Sequence, residues 1–278
     1  MTVPLPRAFV AAMLPALRQA AAVARALEGR VVNSPKEREA TPSKAALTMA
    51  DTAAQETLLV TVFERFPFVS VEAEEDTPTA HRFPLHAEAR VVIDPIDGTL
   101  HSYLEGRGPY AIMVGLAVAN RMEAALVALP REGLFFDATR GHGARVTRAG
   151  GVPRMVHVPG RETGMRILVS HELPEAARET LRARGYEVVH GAGGSIAVAP
   201  LVPGVRAGLR IARGQKNISS RGRIGALIAA EAGALLRCES GKEFPAELDA
   251  PARALLVATH QDDMEALEAA IACAAVPA

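Results

Sequence analysis

The sequence predicts a mixed α/β fold, an α+β N-terminal half followed by an α/β C-terminal half, with the boundary near residue 150. Three observations carry that expectation. Amphipathic helical patterns open the chain. Four apolar runs joined by short turns fill 111–147, the pattern of an antiparallel sheet. After the Gly150-Gly151 break, strand-like and helix-like stretches alternate. The domains expected are therefore an N-terminal subdomain, 1–150, and a C-terminal subdomain, 151–278.

Each element has its own justification. In the first helix Phe9, Met13 and Leu17 fall four apart with Val10 and Leu14 beside them, while Arg7, Arg18 and Arg25 lie off the stripe. Pro15 argues for a kink or a later start. The run 8–17 with Ala20-Ala21-Ala22 behind it also fits a signal peptide, but only Arg7 precedes it and helical periodicity continues to Leu27, which favours the helix. No apolar run approaches the ~20 residues that span a bilayer, so the expected compartment is the cytoplasm. Gly29 supplies the helix stop. Residues 33–46, with Pro35 and Pro42, read as a loop. A second helix starts near Thr48, has an apolar face of Leu58, Leu59, Val62, Phe63 and Phe66, and ends at Pro67. Residues 69–74 alternate as a half-buried strand, and 89–93 form an apolar strand that stops at Asp94. Four strands follow, at 111–118, 122–129, 134–138 and 144–147. Beyond residue 150 we expect strands at 166–170, 187–190 and 255–258, helices at 174–184, 195–202 and 221–236, and a last helix capped by Asp262.

Composition narrows the function classes. Of 278 residues, 49% are hydrophobic and 22% charged, which excludes a disordered or collagen-like chain. Lys plus Arg equals Asp plus Glu, 31 each, so the net charge is zero and bulk attraction to a nucleic acid polymer or an anionic membrane is excluded. Cys238 and Cys273 cannot form a disulfide framework. Aromatic residues are 4% with no Trp, which argues against stacking platforms for bases or sugars.

The chemistry concentrates in Asp94-Pro95-Ile96-Asp97-Gly98-Thr99. An apolar strand delivers Asp94 to its carboxyl end, Pro95 interrupts ladder pairing, and Gly98 permits a tight turn. Two carboxylates forced close together ionise cheaply only with a cation between them. Mg²⁺ suits that arrangement, because it takes oxygen ligands and keeps waters that a phosphate can replace. The same hexapeptide also reads as a plain turn, since Asp-Pro and Asp-Gly are common turn pairs. Upstream, Glu72, Glu74, Glu75 and Asp76 gather at a strand end, either as part of this site or as a solvated edge. Thr48-Met49-Ala50-Asp51 is a capping box, and Asp51 could equally accept a proton from an attacking water.

Taken together, these motifs resemble the inositol monophosphatase-like family of magnesium-dependent, lithium-sensitive phosphatases, which includes fructose bisphosphatases and 3′(2′),5′-bisphosphate nucleotidases. The pattern runs through nearly the whole chain: Thr48…Asp51, Phe66-Pro67 leading to Ala73-Glu74-Glu75, the Asp94–Thr99 signature, Pro130…Gly141-His142-Gly143-Ala144, Gly194-Ser195, and Ala229-Ala230-Glu231-Ala232-Gly233. The resemblance implies a layered α-β-α-β-α sandwich, two or three Mg²⁺ ions, a small phosphate ester as substrate and a homodimer. It implies metal ligation by Glu74, Asp94, the Ile96 carbonyl and Asp97, and catalysis by Asp51 and Thr99 acting on a water, with Glu74 contributing. It puts Gly98, Thr99, Gly194, Ser195 and Arg221 on the substrate side. One departure stands out. Ser220-Arg221 occupies the place where the family usually carries Trp-Asp, so a cation replaces an expected metal-ligating carboxylate. Three orientations are open to Arg221: toward the substrate phosphate, onto Asp94 or Asp97, or outward to solvent. The basic stretch 206–216 favours an anionic ligand or is a solvated loop, and His101 is a leaving-group neighbour or a surface residue.

Overall fold

The computed structural model describes residues 3–37, 39, 41–160, 164–212 and 217–274. Three helices come first, α1 (Pro6–Leu27), α2 (Pro42–Ala45) and α3 (Met49–Arg65). The helix begins at Pro6 and runs on without a break, so Pro15 does not impose the later start that the sequence had suggested. It lies on the exposed face, where the carbonyl it leaves without an N–H partner is open to water. At 22 residues α1 is long and apolar enough, by length and composition, to cross a bilayer, contrary to the expectation that no segment reaches that length. Its Phe9, Met13, Leu17 and Ala20 are instead fully buried against α3 and the first sheet. Each of the three larger side chains contributes about 1.5–3 kcal/mol of hydrophobic burial, which makes α1 a core helix.

Seven strands form the first sheet in sequence order: β1 (Ser70–Ala73), β2 (Ala89–Asp97), β3 (Ala111–Val118), β4 (Arg121–Leu129), β5 (Leu134–Thr139), β6 (Ala144–Arg148) and β7 (Arg154–Val156). Only β1 and β2 run parallel; the rest is an antiparallel meander. Alternation splits its two faces. Val91, Ile93, Ile112 and Val114 pack with α1 and α3, and Val92, Met113, Val127 and Phe136 face the other way.

The second sheet has five strands, β8 (Arg166–Val169), β9 (Glu187–His190), β10 (Val205–Ile211), β11 (Leu235–Arg237) and β12 (Ala254–Ala258), in the order β11-β12-β10-β8-β9. Its outer face is covered by α4 (Glu175–Ala183) and α7 (Gln261–Cys273). Between the sheets lie α5 (Gly193–Ala197) and α6 (Ile224–Glu231), whose Ile224, Leu227 and Ile228 pack onto the first sheet. The layers are thus α-β-α-β-α, as expected.

Several elements differ from the sequence reading, each for a local reason. The helix expected at 221–236 is a 3₁₀ turn, Arg221–Arg223, followed by α6; Gly233 at φ +85° ends the helix and Leu235 begins β11. Pro200 falls in a 3₁₀ turn, Ala199–Leu201, that follows the five-residue α5 where a longer helix was expected. The last helix has His260 rather than Asp262 at its cap position, with Asp262 in the first turn. The basic stretch 206–216 is no solvated loop in its described part, because residues 205–211 are β10 at the centre of the second sheet; Arg213 and Lys216 lie outside the described residues.

Candidate metal and phosphate site

Register builds the site. Parallel pairing sets Ala73 of β1 opposite Ile93 of β2, so the next residue on each strand, Glu74 and Asp94, emerges side by side. On the other edge Asp94 pairs with Met113 and Asp97 with Ala111, which leaves one extra residue on β2. This bulge, where Pro95 lacks an N–H, re-aims Asp97 relative to Asp94. Gly98 follows at φ +91°, a left-handed conformation; a Cβ there would stand 2.7 Å from that of Ala192. A π-helical turn, Thr99–Leu104, closes the loop.

Asp51 and Thr99 are joined. Thr48 caps α3, and its backbone N–H and hydroxyl donate to Asp51 Oδ2 at 2.8 and 2.7 Å. The Thr99 hydroxyl lies 2.8 Å from Asp51 Oδ1 and 2.8 Å from the Ile96 carbonyl oxygen, so its single proton is shared between two acceptors. The capping box is present, and its Asp51 also accepts from Thr99. Burial pushes the Asp51 carboxyl above its usual range, and the hydrogen bonds from Thr48 and Thr99 oppose the shift.

Glu74 and Asp94 form the acidic centre. Asp94 is 6% exposed, and its Oδ1 is buried with no hydrogen-bond partner. Burial drives its pKa well above the usual carboxylate range, reinforced by Glu74 and Asp97 and opposed by Arg221. Burial likewise raises Asp97, against the pull of Arg210 and of the Gly194 N–H, which donates to Asp97 Oδ2. Glu75 points away from this centre; Lys36 Nζ lies 3.2 Å from both of its oxygens, and burial lifts its pKa to about 7.

The donor set fits one hard divalent cation. An orphaned Asp94 oxygen, the adjoining Glu74 carboxylate and the free lone pair of the Ile96 carbonyl supply three oxygens, and Mg²⁺ fills its remaining positions with water. Among the described residues no group of three or more His, Cys, Asp or Glu is arranged to hold an ion. Asp97, expected as a ligand, already has one oxygen on the Gly194 N–H.

Arg221 faces inward. Its guanidinium is 3.6 Å from Glu74 Oε2, so the outward orientation is ruled out, and the ion pair is with Glu74 rather than Asp94 or Asp97. Burial costs its charge, but Asp94, Glu74, Glu72 and Asp97 together hold it protonated. The neighbouring Ser220 hydroxyl bonds Glu72, which also pairs with Arg90 at 3.2 Å. Of the other substrate-side residues, Ser195 is fully buried and its hydroxyl donates to the Ala192 carbonyl at 2.7 Å, so its side chain presents nothing outward. Gly194 contributes its N–H to Asp97, as above. His101 lies against His171 with the rings tilted at 34° and 4.6 Å between centroids, and it bonds Glu105 at 3.0 Å.

One residue escaped the sequence reading, and a second, Glu231, was quoted there only within its motif. Gln55, fully buried one turn after Asp51, clamps the backbone of Glu75 from both sides: its Nε2 donates to the Glu75 carbonyl at 2.7 Å, and its Oε1 accepts the Glu75 N–H at 2.9 Å. A polar residue on an otherwise apolar helix face was the available signal. Glu231 accepts the Gly141 and Gly143 N–H groups, both at 2.8 Å, tying two distant motifs together away from the acidic centre.

The profile of the inositol monophosphatase family matches residues 10–275, the same span that carries this architecture and its acidic centre. The chain belongs to the inositol monophosphatase family. Members of the inositol monophosphatase family are metal-dependent phosphatases. A Thermotoga maritima IMPase superposes with a TM-score of 0.73 at 18% identity, covering 97% of this chain and 100% of that one. The extragenic suppressor protein suhB from Bartonella henselae gives 0.71 at 17%, covering 95% and 98%. At such identities these two likenesses concern the fold. A histidinol-phosphatase of Chlorobaculum parvum is 33% identical over 98 residues, 35% of this chain and 36% of its own length. The Nus factor SuhB of Salmonella typhimurium is 28% identical over 100 residues, 36% of each. The match thus spans about a third of the length of these curated relatives.

Proposed function

We propose that the protein is a Mg²⁺-dependent phosphomonoesterase that hydrolyses a small phosphate ester, an inositol monophosphate or a related sugar or polyol phosphate. The observation that carries this reading is the buried, partnerless Asp94 Oδ1 beside Glu74, one loop away from the Asp51–Thr99 pair. Glu74, Asp94 and the Ile96 carbonyl would hold the cation, and a bound cation supplies positive charge that draws in phosphate oxygens and acidifies water. The protein's own residues handle the proton. With its hydrogen pointed at Asp51 Oδ1, the Thr99 hydroxyl turns its lone pairs toward an incoming water and accepts that water's hydrogen bond. As the water oxygen bonds to phosphorus, the ester P–O bond breaks and the alcohol departs with its bonding electrons, taking a proton from solvent water; the attacking water's own proton passes to Thr99 Oγ1 while the Thr99 proton moves to Asp51. Burial has already raised the affinity of Asp51 for that proton. The Gly98 turn fixes the distance between this pair and the acidic centre.

A second reading, a binder of phosphorylated ligands without turnover, draws support from the Arg221–Glu74 ion pair. A bisphosphorylated nucleotide is the alternative substrate. The test is phosphate release from a panel of inositol monophosphate, sugar phosphates, adenosine 3′,5′-bisphosphate and histidinol phosphate, the last suggested by the name of one relative. Release that requires Mg²⁺ and disappears in Asp94→Asn supports the hydrolase. Equal background release by both proteins supports the binder. The same proposal includes a homodimer in the cytoplasm and a division of labour between 1–150 and 151–278, checked by sedimentation, cell fractionation and separate expression of the two parts.

A further inference from the structure

Arg210 reaches the acidic centre from the second sheet, and a bulge puts it there. Pairing of β10 with β8 jumps from Val205↔Arg166 to Ala207↔Ile167, so Arg206 is the extra residue. Arg206 turns to the outer face and pairs with Asp263 of α7 at 3.0 Å. Ala207 and Leu209 face that outer layer too, while Gly208 and Arg210 face the middle layer. The Arg210 guanidinium there threads between two glycines. A Cβ on Gly193 would stand 2.2 Å from its central carbon, and one on Gly222 would stand 2.9 Å from Nη1. The residues next to those glycines are the ones that bear on the acidic centre: Gly194 donates to Asp97, and Arg221 pairs with Glu74. Among the described residues the one hydrogen bond of the Arg210 side chain is a long one, 3.5 Å to the Gly222 carbonyl. Two guanidinium groups, each a planar set of five N–H donors, thus border one centre.

We propose that Arg210 and Arg221 act as a two-guanidinium clamp for the phosphate group, so that the acidic centre takes a single divalent cation at Glu74 and Asp94. A guanidinium presents a planar fork matched to phosphate oxygens, and two of them beside Asp97 repel a further cation. Asp97 then serves as the anchor between the clamp and the Gly194 N–H. The clamp rests on reading this centre as a phosphate site, yet its test reads binding rather than turnover.

The probes are Mn²⁺, counted by electron paramagnetic resonance, and inorganic phosphate, measured by calorimetry on the full chain. The wild-type protein should bind one Mn²⁺ per chain. Arg210→Gln and Arg221→Gln should each weaken phosphate binding about tenfold or more, as expected for a lost charge-assisted hydrogen bond, with the Mn²⁺ count unchanged. Arg221→Asp should gain a second Mn²⁺ equivalent. Where Arg210→Gln fails to fold, Arg210→Lys, which keeps the charge but not the fork, should still lose several-fold in phosphate affinity. Two or more Mn²⁺ ions per wild-type chain, or unchanged phosphate affinity in the folded arginine variants, would overturn the clamp. One Mn²⁺ with arginine-dependent phosphate binding, but no ester hydrolysis, would remove the phosphatase reading and leave the clamp standing.

Discussion

Replacing Gln55 by Leu tests whether the acidic centre is positioned by a single buried amide. The side chain has zero exposure and holds the Glu75 carbonyl at 2.7 Å and the Glu75 N–H at 2.9 Å, with Thr77 Oγ1 at 3.3 Å as a further partner. Leu matches the volume approximately but satisfies neither backbone group. Two orphaned buried groups cost about 1–3 kcal/mol each, and the added apolar burial returns roughly 1 kcal/mol. The expected loss is about 3 kcal/mol, which for a chain of this size lowers Tm by about 10 °C in a thermal melt. Glu74 immediately precedes the clamped residue, so Mn²⁺ affinity should fall as well. A Tm within 2 °C of wild type (roughly 1 kcal/mol or less by the same conversion) would refute the energetic argument. A large stability loss with unchanged Mn²⁺ affinity would refute the positional one.

Three further outcomes are expected. Asp263→Leu leaves Arg206 buried without its carboxylate and strips Tyr186 of its acceptor, so urea unfolding should show a loss of about 3–5 kcal/mol, while Arg206→Met with Asp263→Leu should recover most of it. Gly98→Ala combines φ +91° with a Cβ contact of 2.7 Å to Ala192; strain of ~1–2 kcal/mol and overpacking of ~1–3 kcal/mol should lower stability by the same assay and reduce phosphate release. Burial, with His101, His190 and Arg107 around it, depresses His171 from 6.5 to about 4. Between those values the unfolded chain holds a proton that the folded chain does not, so this contribution is complete above pH 6.5 and is lost as pH falls toward 4. The full shift corresponds to about 3 kcal/mol, and half exposure reduces it to ~1 kcal/mol. Melts at pH 7.5 and 5 should therefore differ less in His171→Gln than in wild type, and an equal difference would refute the assignment.

What was legible in the sequence was what sits in contiguous residues. Thr48 and Asp51 define a capping box by spacing alone, and the strand into Asp94 announces itself by its apolar run. The meander at 111–148 follows from turns at fixed intervals. The missing pieces depend on register or on a broken period. β10 hid because Arg206 is an unpaired bulge residue and Gly208 carries no side chain, so the alternation that marks a strand is interrupted twice in seven residues. Basic residues at 206 and 210 then read as one patch, although the bulge sends them to opposite faces. Gln55 was visible only as a polar exception on an apolar helix face; its partner, the Glu75 backbone 20 residues away, was not.

The asymmetry between Asp94 and Asp97 shows how a symmetric motif acquires direction. In sequence the two carboxylates are three apart and chemically alike. The bulge in β2 separates their aims, and the rest of the molecule then treats them differently. Asp97 meets a backbone N–H from α5 and the guanidinium that the β10 bulge delivers, so much of its charge is compensated by the protein itself. Asp94 meets Glu74, a second carboxylate, and keeps one oxygen with no donor at all. A buried anion left beside another anion is costly, and Arg221 offsets only part of that cost from within the chain. The cation proposed for this centre would therefore answer one of the two aspartates more than the other. That asymmetry is created as much by a bulge in a strand more than a hundred residues away as by the hexapeptide itself.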